Sequence, residues 1–210
     1  EGRDYLKTDW YSRFQERRYQ KTSVEYMDSK YSMVQALAGA KDVIVRVGAE
    51  YRQLFNSPNT GLVETYRCED AELIAVTMGV LTATTRFVVD ALRDKCKKVG
   101  SVKLRVFRPF PSDALLEALS PAKMVITLER NSLAAMLSEL KAAFYHKGRQ
   151  RPIIMGRVVG IGGRSVSYLD IARILDEALE SLTKRKAIKE LDWVPIKRLD
   201  FDPFEDDVGE

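Results

Sequence analysis

The chain has 210 residues, enough for one domain with extensions or for two small domains. Apolar residues make up 45% of it, sufficient for a sizeable core, while charged residues make up 30% and leave a formal net charge of only +4. A dedicated nucleic-acid surface calls for a denser basic stripe with interleaved aromatics, so that class is set aside. The basic clusters at Arg17–Arg18, Arg93–Lys98 and Lys147–Arg151 read as solvated helix ends and loops. No apolar run approaches about 18 residues, so no membrane-spanning helix is expected. The opening EGRDYLKTDW lacks the apolar stretch of a signal peptide, and a start without Met suits a processed chain or a piece of a longer one. Cys68 and Cys96 are the two cysteines, too few for a Cys-only metal or iron–sulfur site within the chain. They form no disulfide framework and suggest a reducing cytoplasm.

Taken in chain order, residues 1–30 read as an arm or linker whose Trp10, Tyr11, Phe14 and Tyr19 drape over a neighbouring surface. Residues 31–66 form a helical segment. Met33, Val34, Leu37, Ile44, Val47 and Tyr51 fit an amphipathic helix or helix pair, closed by Asn56-Ser57-Pro58-Asn59. An α/β domain follows over 67–183. ELIAVTMG (72–79) is a buried strand, 82–100 a helix, and SVKLRVFRPFP (101–111) a strand that stops at prolines. Next come a short helix at 112–120 with Ser112 as N-cap, and a strand at 122–129. A helix at 132–148, a strand within 151–163 and a helix at 165–182 complete the domain. Ser167 and Asp170 are spaced as a capping box. Four alternations of strand and helix predict a three-layer α/β fold around a mostly parallel sheet. Residues 184–210 read as a C-terminal arm.

The inventory for catalysis is thin. The single histidine, His146, sits at a helix end, so no Ser–His–Asp or Cys–His set can be assembled around it. The chain lacks the lysine-containing phosphate loop and the strand–G-x-G-x-x-G–helix unit. The glycine cluster VVGIGGRSVSYLDI is the sharpest feature. Gly160, Gly162 and Gly163 with Arg164 could cradle an anion on backbone N–H groups, as in a free-standing phosphate- or nucleotide-binding module. Alternatively they supply left-handed backbone at a strand-to-helix turn, with Ser165 or Ser167 capping the helix. Arg108-Pro109-Phe110-Pro111 is a stiff segment that holds a cation and an aromatic at a strand end.

In order, GLVETYRCEDAELIAVTMGV, ALRDKCKKVGSVKLRVFRPFP, AKMVITLERN and VVGIGGRSVSYLDI resemble the C-terminal half of the alpha subunit of 2-oxoacid:ferredoxin oxidoreductases of the pyruvate type. The resemblance runs from about residue 10 to about residue 182 and implies a transketolase C-terminal-like α/β fold. It further implies oxidative decarboxylation of a 2-oxoacid to an acyl-CoA with reduction of ferredoxin. Thiamine diphosphate, Mg2+, 4Fe-4S clusters and coenzyme A would all be held on other domains or subunits. This chain would then be a non-catalytic, assembling part, partnered by the thiamine-binding domains and the other subunits and meeting ferredoxin only indirectly. Arg108, Phe110, Arg130, Trp10 and Phe14 become interface candidates, and Gly162, Gly163 and Arg164 weak candidates for touching a cofactor. Glu129 stands where the family carries Asp, and Ala134 and Ala135 stand in a shortened loop without its glycines. Cys96 takes the place of a usual helix-ending glycine, and Ser165 of a common Asp. The substrate stays open among pyruvate, 2-oxoglutarate, a branched-chain acid and oxalate.

Overall fold

The computed structural model describes residues 23–57, 61–145, 151–184 and 187–194. Helix α1 (Ser23–Phe55) leads into β1 (Val63–Tyr66) and β2 (Leu73–Thr77), then α2 (Leu81–Arg93), β3 (Val99–Leu104) and α3 (Ser112–Ala118). There follow β4 (Met124–Glu129), α4 (Ala135–Tyr145), β5 (Ile153–Val159), a 3₁₀ turn (Ile161–Gly163), α5 (Tyr168–Lys184) and β6 (Leu191–Val194). The six strands form one sheet in the order β1-β3-β2-β4-β5-β6. β1 runs antiparallel to β3 at one edge, and the remaining pairings are parallel.

The alternation along each strand sets the layers, because successive side chains point to opposite faces. Leu73 and Ala75 of β2 with Met124, Ile126 and Leu128 of β4 meet α2 and α5 on one face. Ile74, Val76 and Val125 meet α3 and α4 on the other through Leu115, Leu116, Met136 and Leu140. Strands buried on both faces read as continuous apolar runs, which is why β2 and β4 were visible in the sequence. The three-layer α/β expectation therefore holds.

Several boundaries shift. The helix expected within 31–66 is a single one, and it starts at Ser23, so residues 23–30 belong to it rather than to an arm. Residues 63–66 are the edge strand β1, held to β3 by the register Val63↔Leu104 to Tyr66↔Ser101. The predicted tail contains β6, paired with β5 from Gly156↔Leu191 to Val159↔Val194. Ser112 is the first helical residue of α3, preceded by Pro111 and without a side-chain cap. β3 stops at Leu104, well before the prolines, because the N–H groups of Arg105 and Val106 both turn to the Leu62 carbonyl. α2 ends at Arg93 because Cys96 adopts φ 59°. The N–H groups of Cys96 and Lys97 then return to the carbonyls of Arg93 and Leu92 at 2.8 and 3.1 Å, the pattern of a Schellman cap. The capping box at α5 forms as expected. Asp170 N–H donates to Ser167 Oγ at 3.1 Å, and Ser167 N–H donates to Asp170 Oδ2 at 2.9 Å.

Candidate functional site at the carboxyl ends of the strands

In a parallel sheet every strand delivers its following loop to the same end. Here that end gathers the loops after β2, β3, β4 and β5. The strand order reverses between β2 and β4: from β2 the chain crosses to β3 on one side, then returns past β2 to β4. A crevice opens outside the carboxyl ends at such a reversal. The chain has a cleft of about 400 Å³ there, between the loops leaving β2 and β4.

The β4 side is built from Glu129. Thr127 and Glu129 share the face of Val125, toward α4. The buried Glu129 carboxylate accepts the N–H groups of Met136 at 3.0 Å and Leu137 at 3.1 Å, and the Thr127 hydroxyl at 3.3 Å. It thereby satisfies donors that α4 leaves free at its N-terminus and complements the helix dipole. The next residues turn outward. Arg130 and Leu133 are exposed, Asn131 Oδ1 accepts the Leu133 N–H at 2.8 Å, and Ala134 is buried at φ 49°. On the β2 side, the buried hydroxyls of Thr77 and Thr82 lie 3.0 Å apart and tie the strand end to α2, while Met78 and Val80 stay exposed. After β3, Phe107 and Phe110 stack edge to face with centroids 5.9 Å apart. Arg108 lies over the Phe107 ring and pairs with Glu139 at 2.5 Å.

The glycine loop after β5 is a turn in which each glycine does something different. Gly160, Gly162 and Gly163 have φ of 65°, 66° and 81°. At Gly160 a Cβ would lie 2.7 Å from Val166 Cγ2 and 3.0 Å from the Arg164 carbonyl oxygen, so close packing excludes a side chain there. At Gly162 and Gly163 the space is open and only the left-handed backbone favours glycine. Four residues, Arg164–Ser167, separate the turn from α5, where Ser167 accepts the Asp170 N–H on its hydroxyl and the Ile171 N–H on its carbonyl. The glycine turn and the start of α5 are therefore separate features of the chain.

Arg108, Phe110, Arg130, Gly162, Gly163 and Arg164, nominated from the sequence, all lie in these carboxyl-end loops. Trp10, Phe14 and His146 lie outside the described residues. Reading the sequence missed the exposed apolar residues at the same end: Met78, Val80 and Leu133 in the loops, and Tyr168 and Leu169 in the first turn of α5. For Met78 the available signal was an apolar residue immediately beyond a buried strand, where a polar turn residue is normal.

The described residues bring no three His, Cys, Asp or Glu side chains together in a metal-binding group. Cys68 is buried, with its thiol donating to the Ser101 carbonyl at 3.3 Å, and burial pushes its pKa up. Cys96 is exposed. One buried thiol and one surface thiol do not fit an iron–sulfur cluster, which needs clustered thiolates.

Residues 71–171 match the family described as pyruvate:ferredoxin oxidoreductase core domain II. Subunit VorA of the ketoisovalerate oxidoreductase of Pyrococcus horikoshii is 35% identical over 181 residues, covering 84% of this chain and 46% of that one. Subunit PorA of the pyruvate synthase of Methanothermobacter thermautotrophicus is 38% identical over 154 residues, covering 71% of this chain and 39% of that one. The chain thus spans less than half the length of these relatives. Among solved structures, a split-gene transketolase described as an inactive beta4 tetramer aligns with a TM-score of 0.47 at 16% identity, over 59% of this chain and 44% of that one.

Proposed function

The α/β body of this chain belongs to the family of pyruvate:ferredoxin oxidoreductase core domain II, and from that premise we propose that the chain is the assembling, non-catalytic part of a 2-oxoacid:ferredoxin oxidoreductase alpha subunit. The observation that carries the reading is the carboxyl-end face. There the loops after β2 and β4 present Met78, Val80 and Leu133 to solvent, and the first turn of α5 presents Leu169, beside Arg130 and Arg164. Apolar residues collected on one end of a sheet, with cations among them, suit burial against another protein surface. α1 adds a second such surface. Met33, Leu37, Val47, Tyr51 and Leu54 recur at helical spacing and remain exposed.

In this reading, thiamine diphosphate with Mg2+, the 4Fe-4S clusters and coenzyme A belong to other domains or subunits, and electrons reach ferredoxin through them. The chain's own contribution is geometric. Arg108 and Phe110, held rigid by Glu139 and Phe107, and Leu133 on its short turn give the partner a fixed surface to dock on. The names of the relatives support a short 2-oxoacid as substrate, either pyruvate or a branched-chain acid.

The test is affinity purification of the chain from its own cells, read by mass spectrometry and visible absorption. Co-elution of thiamine-dependent subunits with a broad iron–sulfur absorbance is expected. A colourless chain that elutes alone would overturn the reading.

A further inference from the structure

We propose that the cleft between the loops leaving β2 and β4 is a binding site for a small organic anion, with Arg130 holding the anionic group and the apolar walls holding its body. The inference goes beyond the assembly role and does not depend on it.

Three features of the cleft converge. Its position is the reversal of strand order, where open α/β sheets take their ligands. Its size, about 400 Å³, suits a small molecule, and Met78, Leu81, Phe107, Leu128 and Met136 from five different segments give it largely apolar walls. Its charge is Arg130. Arg86, Arg93, Arg108 and Arg157 each engage a carboxylate or a carbonyl oxygen. Arg130 makes no hydrogen bond or ion pair with any described residue.

Two neighbours define how Arg130 is used. Gly160 leaves room for it: a Cβ there would come within 3.1 Å of Arg130 Nε, so the arginine is carried across the missing side chain. Glu129, which also lines the cleft, does not compete for the guanidinium in this geometry. Its two oxygens already accept two α4 N–H groups and the Thr127 hydroxyl. A guanidinium offers paired N–H donors matched to a carboxylate or a phosphate. The recognised chemistry is therefore an oxyanion on an apolar body.

The methionines make the test direct. Met78 and Met136 line the cleft, whereas Met124 and Met155 are buried in the core behind it. The full chain, carrying ¹³C-labelled methionine methyls, is titrated with phenylacetate, with phenyl phosphate and with neutral benzyl alcohol. At least one aryl anion is expected to shift the Met78 and Met136 signals saturably while Met124 and Met155 stay in place. The tighter anion identifies the headgroup as carboxylate or phosphate. Arg130→Gln is expected to weaken that binding about tenfold or more, the worth of a charge-assisted hydrogen bond. Unchanged core methionine signals will show that the variant remains folded, and Arg151→Gln, at the amino end of the sheet, is expected to bind normally. No shift with either anion, equal binding of benzyl alcohol, or undiminished binding by Arg130→Gln would overturn the site. None of these outcomes bears on subunit co-purification.

Discussion

The two ends of the sheet are built on opposite plans. At the amino ends, backbone groups stitch neighbouring strands before the ladder begins. Glu72 and Leu73 donate to the Lys98 carbonyl, Lys123 and Met124 to the Glu72 carbonyl, and Ile153 to the Lys123 carbonyl. The charges there are paired as well: Arg93 with Asp70 at 2.7 Å, Lys123 with Glu72 at 3.1 Å, and Lys97 with Asp176. At the carboxyl ends the loops bond mostly within themselves, and apolar side chains together with Arg130 face outward. One end closes on itself, and the other leaves apolar side chains and a cation facing outward, at the end of parallel α/β sheets where loops commonly carry binding residues.

The contrast would break first at Glu129, the carboxyl-end residue that behaves like an amino-end one. Glu129→Ala is expected to cost about 3 kcal/mol in urea unfolding, because two N–H groups of α4 and the Thr127 hydroxyl lose a charged acceptor. A loss below about 1 kcal/mol would mean that water takes over those donors and that this end is more open than described. The glycine turn gives the next effect. Gly160→Ala combines left-handed backbone with a clash against Val166 and the Arg164 carbonyl, and is expected to cost about 2 kcal/mol or more. Gly163→Ala meets open space and pays for the backbone alone, about 1 kcal/mol. Equal costs would mean that the loop relaxes around Gly160.

How much of this was readable in the sequence follows from how local each feature is. β2 and β4 were legible because burial on both faces makes a run of branched residues. The α5 cap was legible because Ser167 and Asp170 meet within one turn. Cys96 was noticed as standing in a glycine's place, and its φ of 59° shows that the position demands left-handed backbone whichever residue fills it. β1 and β6 were missed because a half-buried strand of four residues carries little pattern of its own. Each exists by virtue of a partner strand far away in the chain. Arg108, Phe110 and Arg130 each follow an apolar run, so parallel strands bring them to one end of the sheet without further information, whereas Trp10 and Phe14 lie outside the described residues. The cleft was invisible because it depends on strand order, which no local pattern encodes.

The β1 edge offers a smaller, pH-dependent test of how firmly the sheet is closed at its side. Glu64 is partly buried between Arg86 at 2.7 Å and Arg105 at 3.6 Å. Burial opposes its charge, but the Arg86 hydrogen bond and the charges of Arg86, Lys103 and Arg105 outweigh burial and hold its carboxyl below the ordinary range. A depressed folded pKa adds stability above the unfolded value and loses it as pH falls through the folded one. Glu64→Gln is therefore expected to be about 1 kcal/mol less stable than wild type at neutral pH, with the two thermal-unfolding curves converging in acid. Parallel curves at all pH values would mean that the ion pairs contribute nothing to closing the edge.

The smallest effect on stability should accompany the largest effect on partners. Leu133 and Val80 are 83% and 72% exposed, so Leu133→Ser and Val80→Ser remove almost no buried surface. Each is expected to leave unfolding of the isolated chain within about 0.5 kcal/mol of wild type. If the carboxyl-end face is buried in the assembled oxidoreductase, the same changes place a hydroxyl where an apolar contact was, and the pair together should weaken subunit binding about tenfold or more. Lys123→Ser, at the amino end, breaks a surface ion pair with Glu72 and is the matched control, expected to leave subunit binding unchanged. Native affinity in the double carboxyl-end variant alongside a loss in Lys123→Ser would reverse the assignment of the two ends. Because stability and binding are read on the same proteins, a misfolded variant cannot imitate either result.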